Sequence, residues 1–317
     1  MSRYLFSRLI QALLVFWIVS LMVFFAVRVI PQDPIYALIG NDAEGFTPEQ
    51  VAKIRHEFGL DRPLPLQYLS WFGGVLKGDW GESFRNKLPV MDLIKQRIPY
   101  TLELAVAAMV ISLVIGISAG VVAALKRNSM WDIAATSGAM FGVAVPEFWL
   151  ALMMILFFGV KLGWLPVFGA ALVWEDPVAG IRHLILPALA LGIGGAATLM
   201  RQSRSSMLET MGEDYIRTAR SKGVRERWVV VIHALRNSLL PVVTILGLRI
   251  GRILGGAVII ETMFSWPGVG QLAVSSLQRA DYPVIMAVVM ISSAAVIVAN
   301  LLTDIAYSYI DPRIRFS

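Results

Sequence analysis

The sequence predicts an all-α integral membrane protein with six transmembrane helices, a long external segment after the first, and an amphipathic helix in a basic inner loop. Three observations carry this expectation. Apolar residues are 57% of the 317 and the mean hydropathy is +0.68, too apolar for a soluble domain. Six apolar runs, about 9–30, 99–125, 133–160, 183–200, 239–263 and 284–306, approach or exceed the roughly 20 residues a bilayer needs. Basic residues then fall on alternate connections. With the N-terminus inside, the inner segments hold fourteen Lys/Arg against six Asp/Glu, and the outer ones hold eleven against twelve. The positive-inside rule therefore places both termini in the cytoplasm. The pI near 9.7 is accounted for by topology, not by a patch for polyanions.

Composition also excludes several chemistries. Cysteine is absent, so there is no disulfide, thiolate metal site or cysteine nucleophile. His56, His183 and His233 are scattered without metal-ligand spacing, and no metal is expected. No nucleophile–base constellation stands out, so no catalytic residue is expected. The phosphate-cradling pattern G-x-x-x-x-G-K-[ST] is missing; GGVLKGDW lacks its Lys-Ser/Thr end. The first apolar run is too long for a cleavable signal and has no small-residue cleavage site.

The first span, Leu9 to Ile30, runs into VRVIPQDP, where Pro and Asp mark the helix exit. Residues 31–98 form an external segment too long for a simple connector. Within it Thr47-Pro48-Glu49-Gln50 reads as a capping box with Pro at the first helical position, starting a helix to about Phe58 that Gly59 stops. Tyr68, Trp71, Phe72, Trp80 and Phe84 suit a platform at the outer interface, either a docking surface or a cap that packs on the bundle. Span two carries Gly116 and Gly120, a small-xxx-small face for close packing. Span three has Pro146 near its middle, which removes one helical hydrogen bond. GWLPVFGA (163–170) is an external turn, span four is rich in small residues, and span five carries Gly247, Gly251, Gly255 and Gly256.

The longest polar interruption in the second half is Met211 to Pro241, MGEDYIRTARSKGVRERWVVVIHALRNSLLP. Glu213 and Asp214 suit the positive end of a short helix, and Arg217, Arg220 and Lys222 its negative end. Glu213 and Arg217 are an i,i+4 pair in the favoured order. Tyr215, Ile216 and Ala219 form a narrow apolar stripe, and Gly223 supplies the left-handed residue that ends the helix. A second amphipathic run, Val224 to Leu240, closes at Pro241. The plain alternative is an ordinary basic inner loop.

DYIRTARSKG followed by HALRNSLLPVVT resembles the EAA loop in the membrane subunits of binding-protein-dependent ABC importers, most closely the peptide/nickel permease family and its dipeptide/oligopeptide B-type subunit. ETMFSWPGVGQL, the 58–84 segment and AYSYIDPRIRF are also similar to that family, so the resemblance covers nearly the whole chain. Arg217 and Thr218 stand where the broader superfamily often has Glu and Ala, as the peptide-type branch does; Gln32 replaces a usual glycine. The resemblance implies residues 1–30 as an N-terminal span, 31–98 as an external segment with short helices, 99–306 as the permease core with a coupling loop at 201–240, and 307–317 as a cytoplasmic tail. It implies a bacterial inner-membrane location, a second homologous permease subunit, two cytoplasmic ATPase subunits holding ATP and Mg, and an external solute-binding protein. No cofactor is expected in this chain and no nucleic acid as a partner. Glu213, Asp214, Tyr215, Arg217, Thr218, Ala219, Lys222 and Gly223 are the residues it assigns to ATPase coupling. The implied cargo is a peptide or peptide-like solute, with nickel complexes or glutathione-like solutes as alternatives. An ion-driven secondary transporter is the alternative of another class; it calls for inverted repeats with paired broken helices, and only one span here is proline-interrupted.

Three ionisable residues lie well inside apolar runs: Glu147, Arg249 and Arg252. Charges at membrane depth are costly unless paired or hydrated, so they mark pathways by default. In straight helices Arg252 would stand roughly 16 Å beyond Pro241 and Glu147 roughly 21 Å beyond Ile133. They are expected either to line a water-filled translocation pathway favouring an anionic group, or to form a structural ion pair. Glu103, Glu261 and Asp304 lie near span ends, where snorkelling or interfacial hydration is expected.

Overall fold

The computed structural model describes residues 2–29, 47–57, 61–239, 241–242, 251, 253 and 257–310. Its helices are α1 (Ser2–Val29), α2 (Pro48–Glu57), α3 (Leu64–Leu76), α4 (Val90–Leu125), α5 (Met130–Ala144), α6 (Glu147–Met154), α7 (Pro177–Met211) and α8 (Asp214–Ser221). They continue with α9 (Glu226–Trp228), α10 (Arg236–Ser238), α11 (Val269–Gln278) and α12 (Tyr282–Ile310). Wider π-helical turns extend α6 over Ile155–Lys161 and join α9 to α10 over Val229–Leu235. Among the described residues four helices are long and apolar enough to cross a membrane: Phe6–Arg28, Val90–Leu125, Pro177–Met211 and Tyr282–Thr303. A bent pair, α5 with α6 and its extension, makes a fifth if counted as one span. Most of the expected span 239–263, with Arg249 and Arg252, lies outside the described residues, as does the stop expected at Gly59.

The chain divides into two compact units: residues 1–99 with 268–301, and residues 100–267 with 302–317. In the first, α1 and α3 are joined by rings. Phe24 is fully buried, edge-on to Tyr68 at 5.4 Å between centroids and tilted against Trp71 at 5.7 Å. The Tyr68 hydroxyl is 2.7 Å from Ser20 Oγ, so the ring's polar tip is satisfied inside the contact. Tyr68 thus belongs to the core of this unit and not to an exposed platform. Thr47 and Gln50 form the expected reciprocal cap, with Thr47 N–H donating to Gln50 Oε1 at 2.8 Å and Gln50 N–H to Thr47 Oγ1 at 3.3 Å. Val90 and Ile94 of α4 pack with Val269 and Leu272 of α11 and Val284 and Val288 of α12. Asp281, buried just before α12, accepts from Ser83 Oγ and from Phe84 N–H at 3.0 Å, pinning the 83–87 turn.

In the second unit α4 and α7 lie parallel in close contact. Ser112 Oγ donates to Gly192 O at 2.7 Å, and the same register brings Gly116 against Ala196 and Leu199 and Gly120 against Met200 and Ser203. A Cβ on Gly120 would stand 2.6 Å from Ser203 Cβ and 2.7 Å from Met200 O. The small-residue spacing read from sequence is therefore a backbone contact surface. Gly120→Leu is expected to destabilise by about 1–3 kcal/mol or more through overpacking. Gly138→Ala, at a position where a Cβ meets nothing within 4 Å, is expected to be neutral; thermal unfolding of the two purified variants checks both.

The third span departs from its expected straight course. α5 and α6 meet at an angle of 104°. Pro146 has no N–H to donate, and the residue before a proline is driven from the helical region, so Val145 is extended with ψ 126°. α5 alone, 15 residues, is about 22 Å long, short of the roughly 30 Å apolar core. Glu147 consequently opens a new helix after a sharp turn, not a point 21 Å along a straight one.

Glu261 also differs from expectation. It is fully buried and accepts from Thr101 Oγ1 at 2.7 Å, so it does not snorkel. Beside it Trp266, fully buried, donates Nε1–H to Tyr100 O at 2.9 Å, and its own N–H bonds Glu261 O at 2.8 Å. Glu103, partly buried, accepts from Val173 N–H at 2.8 Å. The side chain of Asp304 lies outside the described residues.

Candidate functional site

α7 has 35 residues and α4 has 36, about 52 and 54 Å of helix, so both outreach a bilayer core. The parallel pair ends together at Leu125 and Met211, and α8 lies across that end. Gly212 closes α7, with its N–H on Glu209 O at 3.0 Å, and Glu213, extended at ψ 148°, turns the chain into α8. The apolar stripe then decides how α8 sits. Ile216 is fully buried and Ala219 nearly so, in one cluster with Ala124 of α4, Met207 of α7, and Val229, Val230 and Ala234. A buried isoleucine contributes about 1.5–3 kcal/mol, so α8 is seated on both long helices and on the segment that follows.

The opposite face is polar and open. Glu213, Asp214, Tyr215, Arg217, Thr218, Lys222 and Gly223 are exposed. Arg217 pairs with Asp214 at 3.3 Å, one turn away, and not with Glu213 as the i,i+4 spacing predicts. The reason is positional: Glu213 precedes the helix, in extended backbone, so its side chain leaves the i,i+4 register. Tyr215 likewise leaves the buried stripe; it is 40% exposed, and its hydroxyl accepts from Asn237 Nδ2 at 2.9 Å. Gly223 has φ +76°, the left-handed residue the sequence called for, and its N–H returns to Arg220 O at 2.9 Å.

Sequence reading passed over the clasp that closes this turn. Arg220 donates Nε and a terminal nitrogen to the two Glu226 oxygens, at 3.1 and 2.6 Å, holding the end of α8 to the start of α9 across Gly223. At i,i+6 the pair matches no helical spacing, so only the turn brings it together. The Arg220 guanidinium holds the Glu226 carboxyl below the usual glutamate range, chiefly through that hydrogen bond. A depressed carboxylate stabilises the fold fully above the unfolded value, about 4.3, and loses that contribution as pH falls through the lowered folded value. Both side chains are about half exposed, 41% and 58%, so the clasp is worth under about 1 kcal/mol. Arg220→Gln is expected to speed amide exchange at Gly223 and Val224 at pH 7, an effect that fades as pH falls through the depressed Glu226 value; exchange mass spectrometry along an acidic pH series checks this.

A second bidentate pair sits further up. Arg204 of α7 donates to both oxygens of Asp132 in α5, at 2.6 and 2.8 Å, and Asp132 also accepts from Asn128 N–H at 3.0 Å and Thr136 Oγ1 at 3.3 Å. The Asp132 side chain is 7% exposed. Nothing in the sequence spacing, 72 residues, announces this pair. Of the three residues expected at membrane depth, Glu147 alone is described: half-buried, at the bend between α5 and α6, facing Gly194 of α7, where a Cβ would lie 3.5 Å from its Oε1.

Two family models together cover nearly all of the chain. One for the "binding-protein-dependent transport system inner membrane component" matches residues 112–316, and one for the N-terminal part of such membrane components matches residues 1–105. The chain belongs to this family. It is the membrane-embedded permease subunit of an ABC importer, in a multi-pass arrangement in the inner membrane. Similar relatives include a Brucella suis (biovar 1, strain 1330) protein with a provisional peptide-permease name, 45% identical over 99% of each chain. They also include the dipeptide transport system permease protein DppB of Escherichia coli K12, 40% identical over 99% of each. The glutathione transport system permease protein GsiC of the same strain is 40% identical over 100% of each. Among solved structures, the inward-facing MetNI methionine ABC transporter matches with TM-score 0.56 and 17% identity, over 70% of this chain and 98% of the other, a likeness of fold. This permease therefore places its short exposed helix, α8, within residues 112–316, the part shared with the importer family.

Proposed function

We propose that this permease subunit forms half of the translocation pathway for a peptide or peptide-like solute and couples it, through α8, to ATP hydrolysed on a separate cytoplasmic subunit. One observation supports the coupling: α8 is buried through Ile216 against the ends of two long helices while its polar face stays open. A partner that grips Asp214, Tyr215, Arg217, Thr218 and Lys222 moves α4 and α7 with it, because the anchor on those helices is rigid packing. Glu213 leads the chain into the gripped helix, Ala219 is its second anchor, and Gly223 ends it. ATP and Mg belong to the partner, since no phosphate-cradling loop is present in this sequence. The remaining assembly is a second homologous permease, a second ATPase and an external solute-binding protein, with both termini of this chain cytoplasmic by its Lys/Arg asymmetry.

The cargo reading rests on relatives named for peptide, dipeptide and glutathione transport. Glu147, Arg249 and Arg252 are proposed to line the pathway. Charge reversal at Arg252 then selectively weakens uptake of anionic solutes; unchanged uptake by an intact assembly would exclude that role.

The deciding experiment is affinity purification of the tagged full-length chain from the membrane, followed by reconstitution in vesicles. An ATPase chain should co-purify, and uptake should require ATP and an external binding protein loaded with di- or tripeptide. Uptake driven by an ion gradient without ATP would overturn the reading. A loaded binding protein that prefers nickel complexes would replace the cargo alone.

A further inference from the structure

The first unit contains a cavity of about 470 Å³ that coupling does not use. It lies between the last turn of α1, the α3 face, the 79–87 turn and the start of α12. Three cations reach it from separate segments: Arg28, Arg62 and Lys87. Arg28 is held in place, its guanidinium donating to Gln67 Oε1 at 2.9 Å and lying 3.5 Å from the Phe24 ring centroid. Arg62 and Lys87 are exposed, and neither is in an ion pair among the described residues. Of the lining charges, three are cations and two, Asp79 and Glu82, are carboxylates, one oxygen of Asp79 accepting from Gly81 N–H at 3.0 Å, so the cations are in excess.

Depth identifies what such a cavity meets. Arg28 stands two residues before the end of the first apolar run, 9–30, so the cavity opens near the level where that span leaves the hydrocarbon. Trp71 and Trp80 line it, the residue type that settles at membrane–water interfaces. Phe25 and Met22, exposed at 43% and 67%, lie about one and two turns before Arg28 on α1 and offer an apolar track leading to it.

We infer that this cavity is a binding site for a membrane phospholipid, its phosphodiester held by Arg28, Arg62 and Lys87 and an acyl chain laid along α1. The volume falls in the range of small-molecule pockets, about 300–1,000 Å³. The test uses the full chain purified with its accompanying subunits, titrated by native mass spectrometry. The probes are phosphatidylglycerol, a diacylglycerol with the same acyl chains, and soluble glycerol phosphate. Phosphatidylglycerol should bind, the other two should not, and Arg62→Gln with Lys87→Gln should weaken it roughly 25-fold, about five-fold per basic residue near the surface. Both residues are exposed, so the variant should unfold at the wild-type temperature. Equal binding of diacylglycerol overturns the phosphate contact. Displacement of the lipid by glycerol phosphate makes the cavity a soluble-anion site and overturns the lipid. Unchanged affinity in the double variant, or no binding by the wild type, removes the site. Loss of binding-protein docking in the double variant, with lipid binding intact, reassigns the cavity to a protein partner.

Discussion

Replacing Gly223 by valine is expected to leave ATP hydrolysis running while solute uptake falls by about ten-fold or more. The position has φ +76°, where an L-residue pays about 1–2 kcal/mol and a β-branched one more. Nothing lies within 4 Å of the Cβ that would be added, so the cost is backbone strain and not collision. Strain of that size is relieved by rotating the end of α8 out of its left-handed closure, which breaks the Arg220–Glu226 clasp and tilts the exposed face. Ile216 keeps the helix attached to α4 and α7, so the assembly should still form. Gly223→Asn separates this account from simple side-chain bulk, because asparagine tolerates the left-handed region; it is expected to retain most uptake. Uptake and ATPase rates measured together in vesicles check both variants. Normal coupling in the valine variant would remove Gly223 from the mechanism.

The second large effect is expected at Arg204. Removing its side chain, as in Arg204→Ala, leaves the Asp132 carboxylate without its charge partner, and breaking such a pair from one side destabilises more than exchanging both members. Arg204 itself is 27% exposed, so water offsets part of this, and a clear fall in the unfolding temperature is expected. Asp132→Asn combined with Arg204→Gln should recover much of the loss, because no isolated charge remains. A double-mutant cycle on thermal unfolding measures the coupling directly. The pair ties α5 to α7 less than two turns before the α7 residue Met207 that packs on Ile216, so it joins the gripped end to the bent span. Uptake in the double variant should fall further than its stability does; equal losses would make the pair structural alone.

Local features were legible wherever they depend on near neighbours in the chain. The helix ending at Gly223, the Thr47 cap, the small-residue face at Gly116 and Gly120, and the burial of Ile216 and Ala219 each follow from spacing or backbone chemistry within a few residues. The interruption at Pro146 was also legible, but not its consequence. A missing N–H predicts a broken hydrogen bond; whether the helix kinks slightly or turns by 104° depends on what receives each half. Here α7 receives both, through Ala197 on one side of the bend and Gly194 beside Glu147 on the other.

The sequence by itself determined the class of the protein, a multi-pass helical membrane protein, because apolar length and alternate basic loops are set by the bilayer and not by tertiary contacts. It also determined the place of the short exposed helix and its terminator. Only the tertiary structure decided which charges find each other. Asp132 meets Arg204 across 72 residues, Arg220 meets Glu226 around a glycine turn, and Glu261 is sealed beneath Thr101. An ion pair or a buried carboxylate requires two specific surfaces to be brought together, and the register between those surfaces is a property of packing that no local pattern encodes.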